Sequence, residues 1–185
     1  MPSRFERPSA DAHRFAPAAP GESTVFGACA PGWHTAASNE DALDDWLGFV
    51  QSRGVERVCC LLPGEALERG EGNAGRYVAT FGEENVCHEP IPDQSLVSEA
   101  TLQRILGFLE DSDAADQRVV VHALAGLGRT GQVLAAWLVH GRGYDPSTAL
   151  ETVSEMGRVP LAAADGPEAE ADLEADFLAR LARFE

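Results

Sequence analysis

The stretch "VVVHALAGLGRTGQVLAAWLVHG", residues 119–141, decides the fold. Its three valines are β-branched and apolar on both faces, which predicts a buried strand of a parallel sheet. Glycines at 126, 128 and 131 predict a tight loop, and a helical pattern follows. A strand that feeds a glycine-rich turn and then a helix N-terminus is the layout of an anion cradle, here with Arg129 at its far end. Ala123, where the strand opens into the loop, carries only a methyl group and can do no chemistry there.

Working outward, strands alternate with helices. "STVFGACA" reads as a short strand. "NEDALDDWLGFVQSRG" reads as a helix capped by Asn39, with Leu43, Trp46, Leu47 and Val50 on one face and Gly54 ending it. "VERVCCLL", residues 55–62, is apolar on both faces and predicts a second buried strand. A glycine-rich loop over 64–75 leads to a short helix from Arg76 to Phe81, and "NVCHEPI" is another strand. A helix from Ser98 to Leu109 carries Leu102, Ile105, Leu106 and Leu109 at helical spacing. A further helix starts after Asp145 and Pro146, and the last opens near Pro167 with Leu173, Phe177 and Leu181 inward. This order predicts an α/β fold, an α-β-α sandwich around a central, mostly parallel sheet of about four to five strands. Residues 1–21 read as an irregular lead-in, and 22–185 as a single domain.

Composition removes several function classes. The chain has 185 residues, 14 arginines, no lysine and 30 Asp plus Glu, for a net charge of −16. Such a balance disfavours nucleic acid and anionic membranes as partners. The lack of lysine excludes a Walker A site, a Schiff-base lysine and a Ser–Lys dyad. No run reaches the roughly 18 apolar residues a membrane helix needs, and the first twenty residues lack the apolar core of a signal peptide. A cytoplasmic location is expected. Cys29, Cys59, Cys60 and Cys87 show no paired metal spacing and read as reduced thiols. The acid-rich, lysine-free composition resembles that of proteins from halophilic archaea.

Three readings of the loop compete. "GLGRTG" matches the G-x-G-x-x-G pattern of dinucleotide sites, but such a site needs a second strand after the helix, and "YDPSTALETVSEM" reads as another helix. An ordinary strand-to-helix turn explains the glycines and leaves Arg129, His122 and Thr130 without a reason. The third reading takes the whole stretch together. "HALAGLGRTG" resembles the His-Cys-x5-Arg-Thr-Gly signature of the cysteine-dependent tyrosine and dual-specificity phosphatase superfamily, with Ala123 where the cysteine belongs. It is most similar to the compact cell-cycle phosphatases and their archaeal relatives.

The resemblance implies roles residue by residue. Backbone N–H groups of Leu124, Ala125, Gly126, Leu127 and Gly128 would ring a phosphate, and Arg129 would close the ring with its guanidinium fork. Thr130 would steady the nucleophile position and His122 would hold the loop. The family's general acid, about thirty residues before the nucleophile, falls on Asp93 in "PIPDQS". No cofactor and no metal are implied. The expected partners are phosphorylated proteins or small phosphomonoesters, with phosphate, sulfate or tungstate also fitting the loop.

Some positions depart from the pattern. Leu124 stands where a polar residue is common, and Ala175 where compact relatives often carry a water-orienting glutamine. Alanine at 123 cannot form a phosphocysteine. Two expectations follow: a nucleophile-removed form of an active enzyme, favoured because Asp93 is retained, and a natural pseudophosphatase that only binds phosphoproteins.

Overall fold

The computed structural model describes residues 13–33, 39–68, 73–162 and 164–185. Among these, the chain runs β1 (Ala16–Pro17), β2 (Val25–Ala28), α1 (Asn39–Ser52), β3 (Val55–Cys60), α2 (Gly64–Glu68), α3 (Ala74–Phe81), β4 (Val86–His88) and α4 (Glu99–Ala114). It continues through β5 (Arg118–His122), α5 (Gly128–Arg142), α6 (Pro146–Glu155) and α7 (Pro167–Leu181). The five strands form one sheet in the order β1-β2-β5-β3-β4. The last four pair in parallel, and β1 adds antiparallel to the β2 edge. The expected α-β-α sandwich is the fold that forms.

The quoted valines explain its centre. Side chains alternate across a strand, so Val119 and Val121 enter a core with residues of α4, α5, α6 and α7, while Val120 enters a second core with residues of α1 and α3. Each valine withdrawn from water contributes roughly 1.5–3 kcal/mol, and both sheet faces are thereby covered. Helix α5 is buried at every residue from Arg129 to Val139, as expected of a helix apolar all round. Its approach to β2 is close enough that a Cβ on Gly27 would fall 2.9 Å from Leu134 and Thr130 side-chain atoms.

Helix ends follow the sequence signals. Ser98 Oγ accepts from Thr101 N at 3.2 Å at the start of α4, and Asp145 accepts from Thr148 N at 3.1 Å ahead of Pro146 in α6. Gly54, with φ of 78°, turns the chain after α1. The capping expected of Asn39 concerns a side chain outside the described residues. Leu173 is half-buried, whereas Phe177 and Leu181 are buried.

Two local readings are corrected. The loop expected over 64–75 contains the single-turn helix α2, too short to show periodicity. The lead-in, described from residue 13, is not irregular throughout. Ala16–Pro17 form β1, a strand of two residues whose proline is tolerated at a sheet edge because no ladder bond is asked of it. Phe15 stacks on Phe26 of β2 at 4.8 Å between centroids. At the far end of the sheet, Arg142 forks onto Glu22 (2.7 Å) and Asp113 (2.7 Å), fastening the segment just ahead of β2 to α4 and α5. No helix among the described residues is long and apolar enough to cross a membrane.

Candidate active site

Four parallel strands deliver their C-terminal ends to one edge of the sheet, where α/β folds place their ligands. The loop after β2 brings Trp33, the segment after β3 brings Pro63 and, at the start of α2, Glu65, and the loop after β4 brings Asp93. Directly after β5 come residues 123–128. Only β3 stands between β4 and β5, which is why Asp93 and Arg129, far apart in sequence, meet.

The 123–128 loop is held by its carbonyls. Ala123 O accepts from His122 Nδ1 at 2.9 Å, and Leu124 O accepts from Ala30 N at 2.8 Å. Gly126 O accepts from Arg158 Nη1 at 2.7 Å, and Leu127 O accepts from Val159 N at 3.1 Å. In a trans peptide, C=O and the next N–H point in opposite directions. With four carbonyls turned into the scaffold, the N–H groups of Leu124, Ala125, Leu127 and Gly128 are turned the other way, as an anion ring requires. Leu127, at the N-cap position of α5, makes no side-chain cap bond, which leaves the helix's first N–H groups for a ligand. Gly126 has φ of 76°, and a Cβ there would fall 2.7 Å from Ala28 O, so the sharp turn needs glycine.

These residues line a cavity of about 240 Å³, with Trp33, Asp93, Gln94, Gln132 and Pro160 also in its lining. Arg129 is 8% exposed, and its Nη1 donates to Ile91 O at 3.1 Å. Its Nη2 lies 3.4 Å from Asp93 Oδ1, a carboxylate 71% exposed. A guanidinium beside the loop and a carboxyl next to it are the kinds of group that oxyanion binding and proton transfer call for. A methyl at 123 supplies no attacking atom.

His122 and Thr130 lie behind the loop, both fully buried. The Nδ1–H of His122 faces a carbonyl, so Nε2 is the acceptor and Tyr77 O–H donates to it across 3.0 Å. Burial pushes the imidazole down to about 4 against the partial support of the Ala123 carbonyl. Thr130 Oγ1 is buried with no hydrogen-bond partner among the described residues. An orphaned buried hydroxyl is costly. Ala175, by contrast, is exposed on α7 and is absent from the cavity wall.

Sequence reasoning passed over three residues that build this site. Arg158 is fully buried, and its nearest partners are carbonyls: Gly126 from the loop, Gly27 from β2 at 3.2 Å and Arg14 from the lead-in at 3.0 Å. Desolvation lowers it to about 10, so it remains a fixed cation behind the ring at neutral pH. Gln132, one turn after Arg129, accepts from Val97 N at 2.8 Å and donates to Ser95 O at 3.1 Å and Pro160 O at 3.2 Å. It thereby ties the loop carrying Asp93 to α5. Tyr77 is the third, as the partner of His122.

Comparisons with known proteins bear on the fold and the family. A search of curated proteins finds no match. Among solved structures, Tk-PTP in its active form is 24% identical with a TM-score of 0.62, covering 85% of this chain and 92% of that one. PTPMT1 in complex with PI(5)P is 16% identical with a TM-score of 0.66, covering 91% and 97%. The human tyrosine phosphatase-like serine/threonine/tyrosine-interacting protein is 16% identical with a TM-score of 0.63, covering 92% and 94%. At these identities the likeness is one of fold. A family model described as "Polymorphic toxin system, DSP-PTPase phosphatase" matches residues 39–142, more than half of the chain, from the start of α1 to the end of α5. The chain thus belongs to the DSP-PTPase phosphatases of polymorphic toxin systems.

Proposed function

We propose that the loop from Ala123 to Arg129 holds the phosphoryl group of a phosphomonoester, phosphotyrosine first and phosphoserine or phosphothreonine second. In the parent enzyme a cysteine at 123 attacks phosphorus, Arg129 and the loop N–H groups carry the equatorial oxygens, and Asp93 protonates the leaving oxygen. Water then releases phosphate from the phosphocysteine. With Ala123 in place, the same site binds its substrate and stops. The observation that carries this reading is the outward turning of four loop carbonyls, each seated on the scaffold, around a space that Arg129 closes.

A cysteine placed at the end of β5 would face the helix N-terminus and Arg129, the surroundings that depress a thiol into a thiolate. Ala123→Cys should therefore hydrolyse p-nitrophenyl phosphate and phosphotyrosine peptides without metal and in the presence of EDTA. In that background Asp93→Ala should lower kcat by roughly 10²- to 10⁴-fold, the usual worth of a general acid. The loss should be larger for phosphotyrosine than for p-nitrophenyl phosphate, whose leaving group needs little protonation. An Ala123→Cys protein that folds, binds tungstate and cleaves neither ester would favour the second reading, a pseudophosphatase that sequesters phosphoproteins. The retention of Asp93 beside Arg129 favours the first.

A further inference from the structure

The anion cavity opens into a larger groove. Its volume is about 680 Å³, and it shares Asp93, Leu124 and Arg129 with the 240 Å³ cavity, so the two form one cleft. A phosphate fills only the smaller part. What the larger part accepts is set by what its walls lack. Pro63, Pro90 and Pro92 have no N–H to donate. Leu62 and Leu124 add apolar surface, and α2, which begins at Gly64, carries Glu65 in its only turn.

Across both cavities, Arg129 is the single cation among the described lining residues, and it is already placed for the phosphate in the loop. The charged groups that remain are the carboxylates Glu65 and Asp93. Among the described lining residues, a second phosphate on the substrate would meet no further cation, no proline N–H and two carboxylates. The net charge of −16 extends the same preference to long range.

We infer that the groove receives the polypeptide flanking a phosphorylated residue, with an apolar side chain against the prolines and an arginine or lysine beside Glu65. This rests on the reading of 123–129 as the phosphate site and adds to it the class of carrier: a neutral to cationic phosphoprotein segment rather than an inositol phospholipid or other anionic carrier. Charged groups at such a rim act through steering and discrimination, each by a small factor.

The test uses the Ala123 protein as it stands, which binds without consuming its ligand. Calorimetry would compare tungstate, a phosphotyrosine peptide with flanking Leu and Arg, the same peptide with Asp replacing both, and short-chain PI(5)P. The Leu/Arg peptide should bind about tenfold tighter than the Asp peptide at low salt, and the gap should narrow at molar salt. Glu65→Arg should reverse the order of the two peptides. Equal affinities, or PI(5)P as the tightest organic ligand, would overturn the carrier assignment while tungstate binding kept the phosphate site. Failure of tungstate itself to bind would remove the phosphate site and the groove's role with it.

Discussion

His122 shows how much one side chain behind the loop controls. Trp46 and Tyr77 pack edge-on to its ring, at centroid distances of 5.1 and 5.6 Å, and leave it no water. Burial chiefly, with His88 and Arg129 as nearby positive groups, keeps the ring neutral down to about pH 4. The unfolded chain protonates this histidine near 6.5. Its contribution to stability is therefore complete above about 6.5 and is lost as pH falls from there towards 4, by at most about 3 kcal/mol. Carboxylates elsewhere also titrate at the acid end, so the histidine's share is read by difference. His122→Gln should lower the denaturation midpoint at pH 7 and flatten its slope between pH 6.5 and 4 relative to the parent. Parallel pH profiles in the two proteins would mean that the ring is not held neutral. The residue itself stood out in the sequence by its company, next to the loop. Its tautomer did not, because Tyr77 lies 45 positions away in a helix whose pattern says nothing of that contact.

At the scale of elements, what was legible was what repeats locally. Val119 to Val121 alternate between two cores, the glycines mark the turn, and α5 is apolar all round, so strand, loop and helix could be read directly from residues 119–141. Asp93 stands out only through the resemblance, thirty residues before Ala123; its strand and loop signals alone would leave it an ordinary loop carboxylate. The fastenings between elements were not legible. Gln132 looks like one polar residue in an apolar helix, and only the folded chain shows it bonded to Val97, Ser95 and Pro160. Among the described residues Arg158 pairs with carbonyls rather than with a carboxylate that could have suggested an ion pair, and those carbonyls lie 32 to 144 residues away. The α2 turn and β1 are too short for any periodicity. Gln132 also yields a prediction at this scale. In an Ala123→Cys enzyme, Gln132→Leu would remove the buried partner of Val97 N–H and the bonds to Ser95 O and Pro160 O, loosening the loop that positions Asp93. Turnover of phosphotyrosine should fall about tenfold or more, that of p-nitrophenyl phosphate much less, and KM should change little. Equal losses on both esters would reduce Gln132 to a structural tie.

For the molecule as a whole, charge governs behaviour in solution. With 30 carboxylates against 14 arginines, the folded chain repels itself in dilute buffer. At molar salt the Debye length is about 3 Å, short enough to screen most of that repulsion. The melting temperature should rise steeply between dilute and molar potassium chloride if the composition is that of a salt-adapted protein. A flat profile would remove that reading and leave the site untouched. The same molecule also has an order of assembly written into Arg158. During synthesis Arg14 and Gly27 leave the ribosome long before the arginine that clasps their carbonyls, and β2 waits for β5 before it gains its parallel neighbour. The Gly126 turn is likewise made before its clasp. A nascent chain cut short between residues 130 and 157 would hold every residue of the loop and still lack the pin that closes it, so phosphate binding should switch on late and abruptly as the chain lengthens past the end of α6.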